Sequence, residues 1–343
     1  MNRLGLAKRW QPRKDYASCS GCGLCLLVCS VWRRGRDFSL TPLGRAKALQ
    51  HGAAAADIAA SLHSCTLCAA CEPVCPEDIE LVAMTLDLRS RLPQAAAMQA
   101  LCARMQAEAA QPQASRTSAA TLLLPGQALR ARPATLARAV ALLGGSGGIA
   151  LGEDDGADIA LALEAGAPVP AQRLERFLRP LRGLKKIVVA DGLLLRQLRQ
   201  WLPGPTVTSL GVALSSLPGV RGALRAGDLY VIEARAYHAD YQRLVKYYDG
   251  LRSAAACAFN LDLQRMAIPA AARSLAQKLG LEPVDDSVQL RWILHGQEVT
   301  RIVAEDVEDG AAFAQVSSLP VVHLADLAHD ETLEASYYEH GIS

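Results

Sequence analysis

Apolar positions up to about residue 109 recur with the period of a helix that buries one face. In the segment Ile79–Leu92, for example, Val82 and Leu86 fall on the same side as Ile79. The pair Thr41-Pro42 predicts the start of another helix, because threonine caps helix N-termini and proline suits the first helical position. This part of the chain is therefore predicted to be α-helical. The predicted helices are Leu43–Leu49, Ala53–His63, Ile79–Leu92 and Ala95–Ala109.

From Thr121 onward, short aliphatic and β-branched runs alternate with helix-type segments, which is typical of an α/β fold. The predicted strands are Thr121–Leu124, Ile187–Ala190, Thr206–Leu210, Tyr230–Glu233, Arg301–Ala304 and Pro320–Leu324. The predicted helices are Ala134–Leu143, Gln172–Leu181, Leu193–Trp201, Tyr237–Leu251 and Ala270–Leu279.

A weak internal repeat runs through the α/β part. The segment Lys186-Ile-Val-Val-Ala-Asp191 has a counterpart, Arg301-Ile-Val-Ala-Glu-Asp306, roughly 115 residues later. Each follows a strand and a helix and precedes another strand. The repeat predicts a duplicated domain with two α/β lobes that face each other across a cleft.

Composition limits the class of protein. The chain has 343 residues, enough for two or three compact units, and its 51% apolar content argues against disorder. The net charge of +2 lacks the large positive excess that is typical of nucleic-acid-binding proteins. No apolar stretch reaches the ~18 residues of a transmembrane helix, and residues 1–15 do not have the pattern of a secretory signal.

Eight of the ten cysteines lie in two runs with the spacing Cys-x-x-Cys-x-x-Cys-x-x-x-Cys. This spacing holds 4Fe–4S clusters, and in paired runs the last cysteine of each run ligates the other cluster. We expect that last cysteine on the first turn of a following helix. Zinc and disulfides are alternatives, but zinc typically takes two Cys-x-x-Cys pairs and disulfide frameworks suit small secreted chains. The predicted ligands are Cys19, Cys22, Cys25 and Cys75 for one cluster and Cys65, Cys68, Cys71 and Cys29 for the other.

Three arginines, Arg33, Arg34 and Arg36, follow the first run. They either stabilise the reduced form of a negatively charged cluster or are ordinary surface residues. The two remaining cysteines, Cys102 and Cys257, are predicted to be small buried hydrophobic residues rather than ligands.

Other features point to structural roles. The basic segment 1–18 is either a solvated arm or a docking segment for an acidic partner or membrane face. The glycine run Gly144–Gly148 follows a helix and precedes a strand, which is the wrong order for a phosphate-binding loop, so it is predicted to end the helix. Asp154 and Asp155 are predicted to lie in a solvated loop, and His323 to pack in the core or cap an element.

The N-terminal part resembles the dicluster domain of a family of iron–sulfur proteins. This family supplies the iron–sulfur subunits of glycolate oxidase, anaerobic glycerol-3-phosphate dehydrogenase, lactate-oxidising complexes and heterodisulfide reductase. The resemblance is carried by Cys19–Cys29, by Thr41-Pro-Leu-Gly-Arg-Ala-Lys47 and by Cys65-Thr-Leu-Cys-Ala-Ala-Cys-Glu-Pro-Val-Cys-Pro76. Ser30 departs from the proline that such runs often have.

The remainder is similar to the duplicated cysteine-rich domain of the same family, with its cluster ligands missing. Pro125-Gly126-Gln127 stands where that domain has Pro-Gly-Cys, and Glu153-Asp-Asp-Gly156 stands where it has Cys-Cys-Gly. Ala190-Asp-Gly192 stands where another cysteine pair is expected, and the second lobe keeps only Cys257. The resemblance therefore implies a lobed scaffold that cannot hold a further cluster.

Together these observations predict an N-terminal α-helical ferredoxin with two clusters, followed by a duplicated two-lobed α/β domain. The resemblance implies a non-catalytic electron-transfer subunit between a flavoprotein dehydrogenase and a quinone-side or iron–sulfur acceptor. A structural or redox-sensing subunit and a heterodisulfide-reductase-like enzyme are the alternatives. We expect a cytoplasmic protein, which a partner can hold at the inner face of the cytoplasmic membrane. The predicted domains are 1–110 (dicluster ferredoxin), 111–120 (linker), 121–218 (first lobe) and 219–343 (second lobe).

Overall fold

A computed structural model describes residues 12–109, 120–144, 148–271, 273–278, 280 and 285–327. Arg3, Lys8 and Arg9 of the basic segment, nearly all of the predicted linker and the middle of the glycine run lie outside these residues. Within them, no helix combines the length and the apolar character needed to cross a membrane.

The N-terminal part is helical, as predicted. Residues 53–63 do not form one helix, because Ile58 leaves the helical conformation at φ −113° and ψ 20° and separates a 3-10 turn from an α-helix. The α-helices are α1 Leu24–Val28, α2 Ser30–Gly35, α3 Pro42–Gln50, α4 Ala59–Ser64, α5 Leu81–Ser90 and α6 Ala96–Ala109. The 3-10 helices are Tyr16–Ser18, Phe38–Leu40 and Ala55–Ile58.

Helix α3 starts as its sequence predicts. The Thr41 hydroxyl accepts a hydrogen bond from the Gly44 N–H at 3.1 Å, and Pro42 occupies the first turn. Gly44 is required for packing, because a Cβ there would lie 2.2 Å from the Phe38 carbonyl oxygen. Helix α3 is thereby pressed against the preceding turn, and its buried side faces the cysteine runs.

The α/β part contains two four-stranded sheets. Its strands are β1 Thr121–Leu124, β2 Ala150–Leu151, β3 Lys186–Val189, β4 Thr206–Ser209, β5 Asp228–Val231, β6 Ala258–Phe259, β7 Arg301–Ala304 and β8 Val321–His323. Its α-helices are α7 Gly126–Arg130, α8 Pro133–Gly144, α9 Ala157–Ala165, α10 Ala171–Leu178, α11 Gly192–Trp201, α12 Leu210–Ser215, α13 Pro218–Gly222, α14 Ala234–Ala239, α15 Tyr241–Ala255, α16 Leu275–Lys278, α17 Ser287–Leu294 and α18 Val307–Val316, and a 3-10 turn follows at Leu324–Asp326.

Both sheets are parallel and have the same arrangement, with orders β2-β1-β3-β4 and β6-β5-β7-β8. We call residues 121–218 the first α/β unit and residues 219–327 the second. All six predicted strands are present: β1 and β7 have the predicted ends, and the other four are shifted by one or two residues at one or both ends. The edge strands β2 and β6 were not predicted, because each has two residues and leaves no readable pattern.

One apolar core joins the two units. Alternate residues of each parallel strand point to opposite faces, so Leu123 and Val188 of the first sheet share a core with Tyr230 and Val303 of the second. The other faces pack on separate cores, as Leu122 does. The surfaces predicted to face each other across a cleft therefore contribute to continuous packing instead.

Two helix predictions in this part need correction. The predicted helix Tyr237–Leu251 is divided at Asp240, which has φ −142° and ψ 42°, into α14 and α15. Of the predicted helix Ala270–Leu279, the structure describes residues 270, 271 and 273–278, and among these only α16 is helical. Ala271 lies before α16 and donates its N–H to Asp309 Oδ1 at 2.7 Å. Ser274 caps α16 by accepting a hydrogen bond from the Gln277 N–H at 3.2 Å, so the helix begins later than predicted.

The helical part packs against both units. Helix α6 lies against α9 and α10 of the first unit, with Met98, Leu101 and Met105 in one small core with alanines of α9. Gly166, at the end of α9, has φ 71°, and a Cβ there would approach the Ser90 backbone nitrogen to 2.6 Å. This close approach brings the first unit against the end of α5, near the second cysteine run.

Candidate iron–sulfur centres

The second cysteine run surrounds a cavity together with the last cysteine of the first run. We call it the inner cavity, and the empty space inside it and in its opening to solvent is about 410 Å³. Thr66, Leu67, Ala69 and Ala70 of its loop are all buried. The inner cavity is lined by Cys29, Ser30, Val31, Leu40, Pro42, Arg45, Cys65, Thr66, Leu67, Cys68, Ala69, Ala70, Cys71, Leu81, Val82 and Thr85.

The first cysteine run surrounds a second cavity together with the last cysteine of the second run. The empty space inside this outer cavity and in its opening to solvent is about 380 Å³. Cys22 is exposed, so the outer cavity reaches the surface. It is lined by Cys19, Ser20, Cys22, Gly23, Cys25, Pro42, Leu43, Ala46, Cys75, Glu77, Ile79 and Leu81.

The structure thus brings together the two groups of four cysteines that the spacing predicts. Cys29 crosses to the inner cavity from the N-cap of α2. Cys75 crosses to the outer cavity, but from a turn in which its N–H donates to the Glu72 carbonyl. The expectation that each fourth cysteine lies on the first helical turn is therefore wrong for Cys75, because Pro76 disfavours the helical conformation of the residue before it.

Burial disfavours the thiolate form of several of these cysteines. Burial raises the pKa of the Cys25 thiol to about 12, with a further contribution from Cys29 and the other nearby cysteines. Burial likewise raises the pKa of Cys29 to about 11, and it raises the pKa of Cys71 well above its ordinary value. Such thiols lose their protons when they coordinate metal.

The pKa of the Cys65 thiol shifts in the opposite direction. Burial raises its pKa, but the charges of Arg45 and Arg89 outweigh that effect and hold the pKa of this thiol below its ordinary value. Both arginines are almost completely buried, at 1% and 0% exposure. The inner cavity therefore has positive charge beside its cysteines.

The donor set fits 4Fe–4S clusters. Four cysteines per cavity is the usual ligand number, and each binds a different iron atom, so the sulfurs are spread around the cluster. Among the described residues, no group of three or more His, Cys, Asp or Glu side chains is arranged to hold a single metal ion. In the wall of the inner cavity, the buried Nε of Arg45 has no hydrogen-bond partner in the protein.

Side chains from the α/β units hold the backbone of the second run. Arg235 of α14 donates to the Thr66 carbonyl from Nε at 3.0 Å and from Nη2 at 2.7 Å. The Nδ1 of His238 lies 2.6 Å from the Cys68 carbonyl, and its Nε2 accepts from the Ala267 N–H. Because a carbonyl only accepts, His238 carries its proton on Nδ1, and burial lowers its pKa to about 4.

The helical part adds one more clamp to this run. Arg89 donates to the Cys65 carbonyl at 2.7 Å and to the Leu62 carbonyl, and it also reaches the Glu164 carbonyl of α9. Within the run, Glu72 pairs with Arg196 of α11 at 2.6 Å. None of these contacts was predicted from the sequence, because they join residues far apart in the chain.

The three predicted arginines do not line either cavity. Arg33 pairs with the buried Asp262 at 2.5 Å, and its guanidinium lies 4.9 Å from the centre of the Trp292 ring. Arg34 approaches Asp286 at 3.6 Å, and Arg36 lies over the Trp32 ring. The first two therefore join α2 to the second unit, which neither of the two sequence interpretations included.

The other candidate residues have structural positions. Cys257 is buried in the core shared by the two units, as predicted, whereas Cys102 is only half-buried and packs from α6 against the small core. Asp154 and Asp155 are not simply solvated, because they pair with Arg173 and Arg130. His323 caps the final 3-10 turn by accepting from the Ala325 N–H, as predicted.

Comparison with known families agrees with the cysteine geometry. A sequence model of the 4Fe-4S dicluster domain family matches residues 15–79, which include all eight cysteines of the two runs. This match supports an iron–sulfur protein. Neither the curated proteins nor the solved structures contain a match to the chain. The similarity therefore covers the helical part that surrounds the two cavities.

Proposed function

We propose that this chain is an electron-transfer protein that relays electrons through two 4Fe–4S clusters. The match to a 4Fe-4S dicluster domain implies an electron-transfer role. The observation that carries the proposal of two clusters is the pair of neighbouring cavities, each lined by four cysteines. When bound, such clusters accept and release single electrons, and the protein sets their potentials through charge, hydrogen bonds and burial.

The proposed ligands follow from the lining residues of the two cavities. The outer cavity offers Cys19, Cys22, Cys25 and Cys75, and the inner cavity offers Cys29, Cys65, Cys68 and Cys71. Pro42 and Leu81 line both cavities, so one layer of side chains separates them. This proximity suits electron transfer between two centres.

We further propose a flavoprotein dehydrogenase as the electron donor and a quinone-side or iron–sulfur protein as the acceptor. The support is the resemblance of the dicluster segment to proteins that work in such complexes, and the substrate chemistry then belongs to the partner. The α/β units serve as a duplicated scaffold, which their common strand order supports. Disulfide reduction by this scaffold is disfavoured, because its cysteine Cys257 is buried in the core.

Iron content and spectroscopy test the proposal. The full chain, purified without oxygen, is expected to hold about eight iron atoms and to show two one-electron centres on reduction. Cys22→Ser is expected to alter the outer centre and Cys68→Ser the inner one, each leaving the other centre in place. Cys102→Ser is the matched control and should leave the iron content and both signals unchanged.

Electron transfer itself needs a second readout. The reduced chain should pass electrons to a flavin acceptor or a quinone analogue, and both ligand variants should slow that transfer by at least about tenfold. A folded Cys68→Ser variant that has lost the inner centre but transfers electrons at the wild-type rate would contradict the relay. A wild-type chain with zinc in place of iron would contradict the cluster assignment.

A further inference from the structure

Arg45 occupies an unusual position for a charged side chain. It lies on α3 at 1% exposure, among the residues that line the inner cavity. Its Nη1 donates to the Leu40 carbonyl at 3.2 Å and to the Ser61 carbonyl at 3.0 Å. These carbonyls fix the position of the guanidinium without neutralising its charge.

Of the other buried arginines nearby, Arg89 donates to backbone carbonyls and does not line the inner cavity, whereas two have clear compensation. Arg33 pairs with Asp262, and Arg235 pairs with Glu164. Arg45 forms no ion pair with any carboxylate in the described part of the chain. Its Nε is also buried without an acceptor. A buried cation without a counter-charge is costly, so the arrangement points to an anion in the cavity that Arg45 lines.

We propose that Arg45 is the counter-charge of the inner 4Fe–4S cluster and raises its reduction potential above that of the outer cluster. This inference rests on the proposed function. A cluster held by four thiolates is an anion, and reduction adds a further negative charge. A fixed guanidinium stabilises the reduced form more than the oxidised form, and burial strengthens that effect by excluding water.

The outer cavity lacks an equivalent charge. No arginine or lysine is among its lining residues, and Glu77 is the one residue with an ionisable carboxyl group among them. Lys47 lies near Gly21, but it is only half-buried and its Nζ donates to Gln50 Oε1. Water also reaches this cavity beside Cys22, so it screens nearby charges. Electrons that enter at the exposed outer centre would therefore pass downhill to the inner centre.

Redox titration of the full chain tests this inference. The midpoint potentials of both centres are followed by electron paramagnetic resonance in the wild type and in Arg45→Met, which is similar in bulk but neutral. The inner midpoint is expected to fall by about 59 mV or more, which is tenfold in the reduction equilibrium for one electron. The outer midpoint should stay constant, and Cys22→Ser assigns which signal belongs to which centre.

Two further variants provide controls. Arg45→Lys keeps the charge and is expected to restore most of the inner potential. Arg182→Gln removes an exposed charge that lines neither cavity, and it should leave both midpoints unchanged. If Arg45→Met does not retain the inner centre, Arg45→Gln, which keeps a donor for the Ser61 carbonyl, serves in its place.

The possible failures are distinguishable. If the wild type lacks two 4Fe–4S centres, the proposed function fails. If both centres are present and the neutral variant keeps an unchanged inner midpoint, the assignment to Arg45 is overturned. An equal fall of both midpoints also overturns it, because the inferred effect is specific to the inner cavity.

Discussion

The two cysteine loops share backbone conformations but differ in the residues that adopt them. In the first loop, Gly21 and Gly23 have φ angles of 84° and 80°. At the equivalent places of the second loop, Leu67 and Ala69 have φ angles of 54° and 63°. Glycine tolerates this left-handed region, whereas in other residues it costs roughly 1–2 kcal/mol each. The second loop is therefore the strained one.

The contacts around each loop explain how this difference persists. The first loop is partly exposed and is held locally; for example, the Gln50 side chain donates to the Cys19 carbonyl. The second loop is buried, and Arg89, Arg235 and His238 bind its carbonyls. Two of these three residues belong to the second α/β unit. A cluster loop can thus depend on a region that contributes no cysteine to it.

The largest expected effect comes from removing Arg235. This side chain pairs with Glu164 at 2.9 Å, and Glu164 is 3% exposed. Burial alone would raise the pKa of Glu164, but Arg235 and Lys278 hold it at about 2. Arg235→Met leaves that carboxylate with Lys278 alone and frees the Thr66 carbonyl. We expect a loss of about 3–5 kcal/mol of unfolding free energy, measured by anaerobic denaturant titration.

The same variant should separate the two centres. The inner centre is expected to lose its iron first, while the signal of the outer centre persists. Arg243→Ala, on the exposed side of α15, is the matched control, and its surface pair with Asp240 is worth less than about 1 kcal/mol. Equal loss of both centres in Arg235→Met would contradict the selective dependence of the second loop.

A change of pH is expected to alter the free energy of unfolding by an intermediate amount. Glu305 is buried, with Tyr230 and Tyr248 donating to Oε1 and the Glu233 N–H donating to Oε2. Burial raises its pKa from 4.5 to about 7, and burial also raises the pKa of Glu233 to about 8 and that of Asp306 to about 6. Glu233 in turn caps α14, which carries both Arg235 and His238.

The sign of the pH effect follows from these pKa values. A carboxyl group with a raised folded pKa keeps its proton longer in the folded state, so its contribution to stability falls as pH rises. The loss spans about pH 4.5 to 8, and for Glu305 alone it amounts to about 3 kcal/mol. Denaturant titrations at about pH 5 and about pH 8 measure it. Glu305→Gln should flatten the slope, and an unchanged slope in that variant would refute the assignment.

Sequence reasoning predicted what depends on local spacing. The two groups of four cysteines, the strands β1 and β7 and the cap at Thr41 all follow from residues close together in the chain. Arg45 was also within reach, because it shares the buried face of α3 with Pro42 and Leu49 at helical spacing. A charged residue on a predicted buried face can be recognised from the sequence, but Arg45 was not among the predicted site residues.

The clamps on the second loop were out of reach for a different reason. Arg235 and His238 lie 169 and 170 residues from the carbonyls that they bind. No periodicity connects such positions, and only the packing of α14 brings them together. The error at Ala270–Leu279 has a local cause instead, since Ser274 caps α16 and the helix begins after it.

The smallest expected effect comes from exchanging the residue types of the two loops. Gly23→Ala meets atoms no closer than 3.9 Å, so its cost comes from the positive φ alone, about 1 kcal/mol. Ala69→Gly relieves strain but loses a buried methyl, worth about 0.8 kcal/mol. We expect Gly23→Ala to lower the denaturation midpoint of the holoprotein and Ala69→Gly to leave it unchanged or slightly raised.

Gly183→Ala is the control for this exchange, because an added Cβ there meets nothing within 4 Å. Its denaturation midpoint should match that of the wild type. If Ala69→Gly destabilised the protein as much as Gly23→Ala, the left-handed conformation of the second loop would not be a strained state. The hydrogen bonds from Arg235 and His238 would then have to favour alanine at that position, and the contrast between the two loops would rest on burial alone.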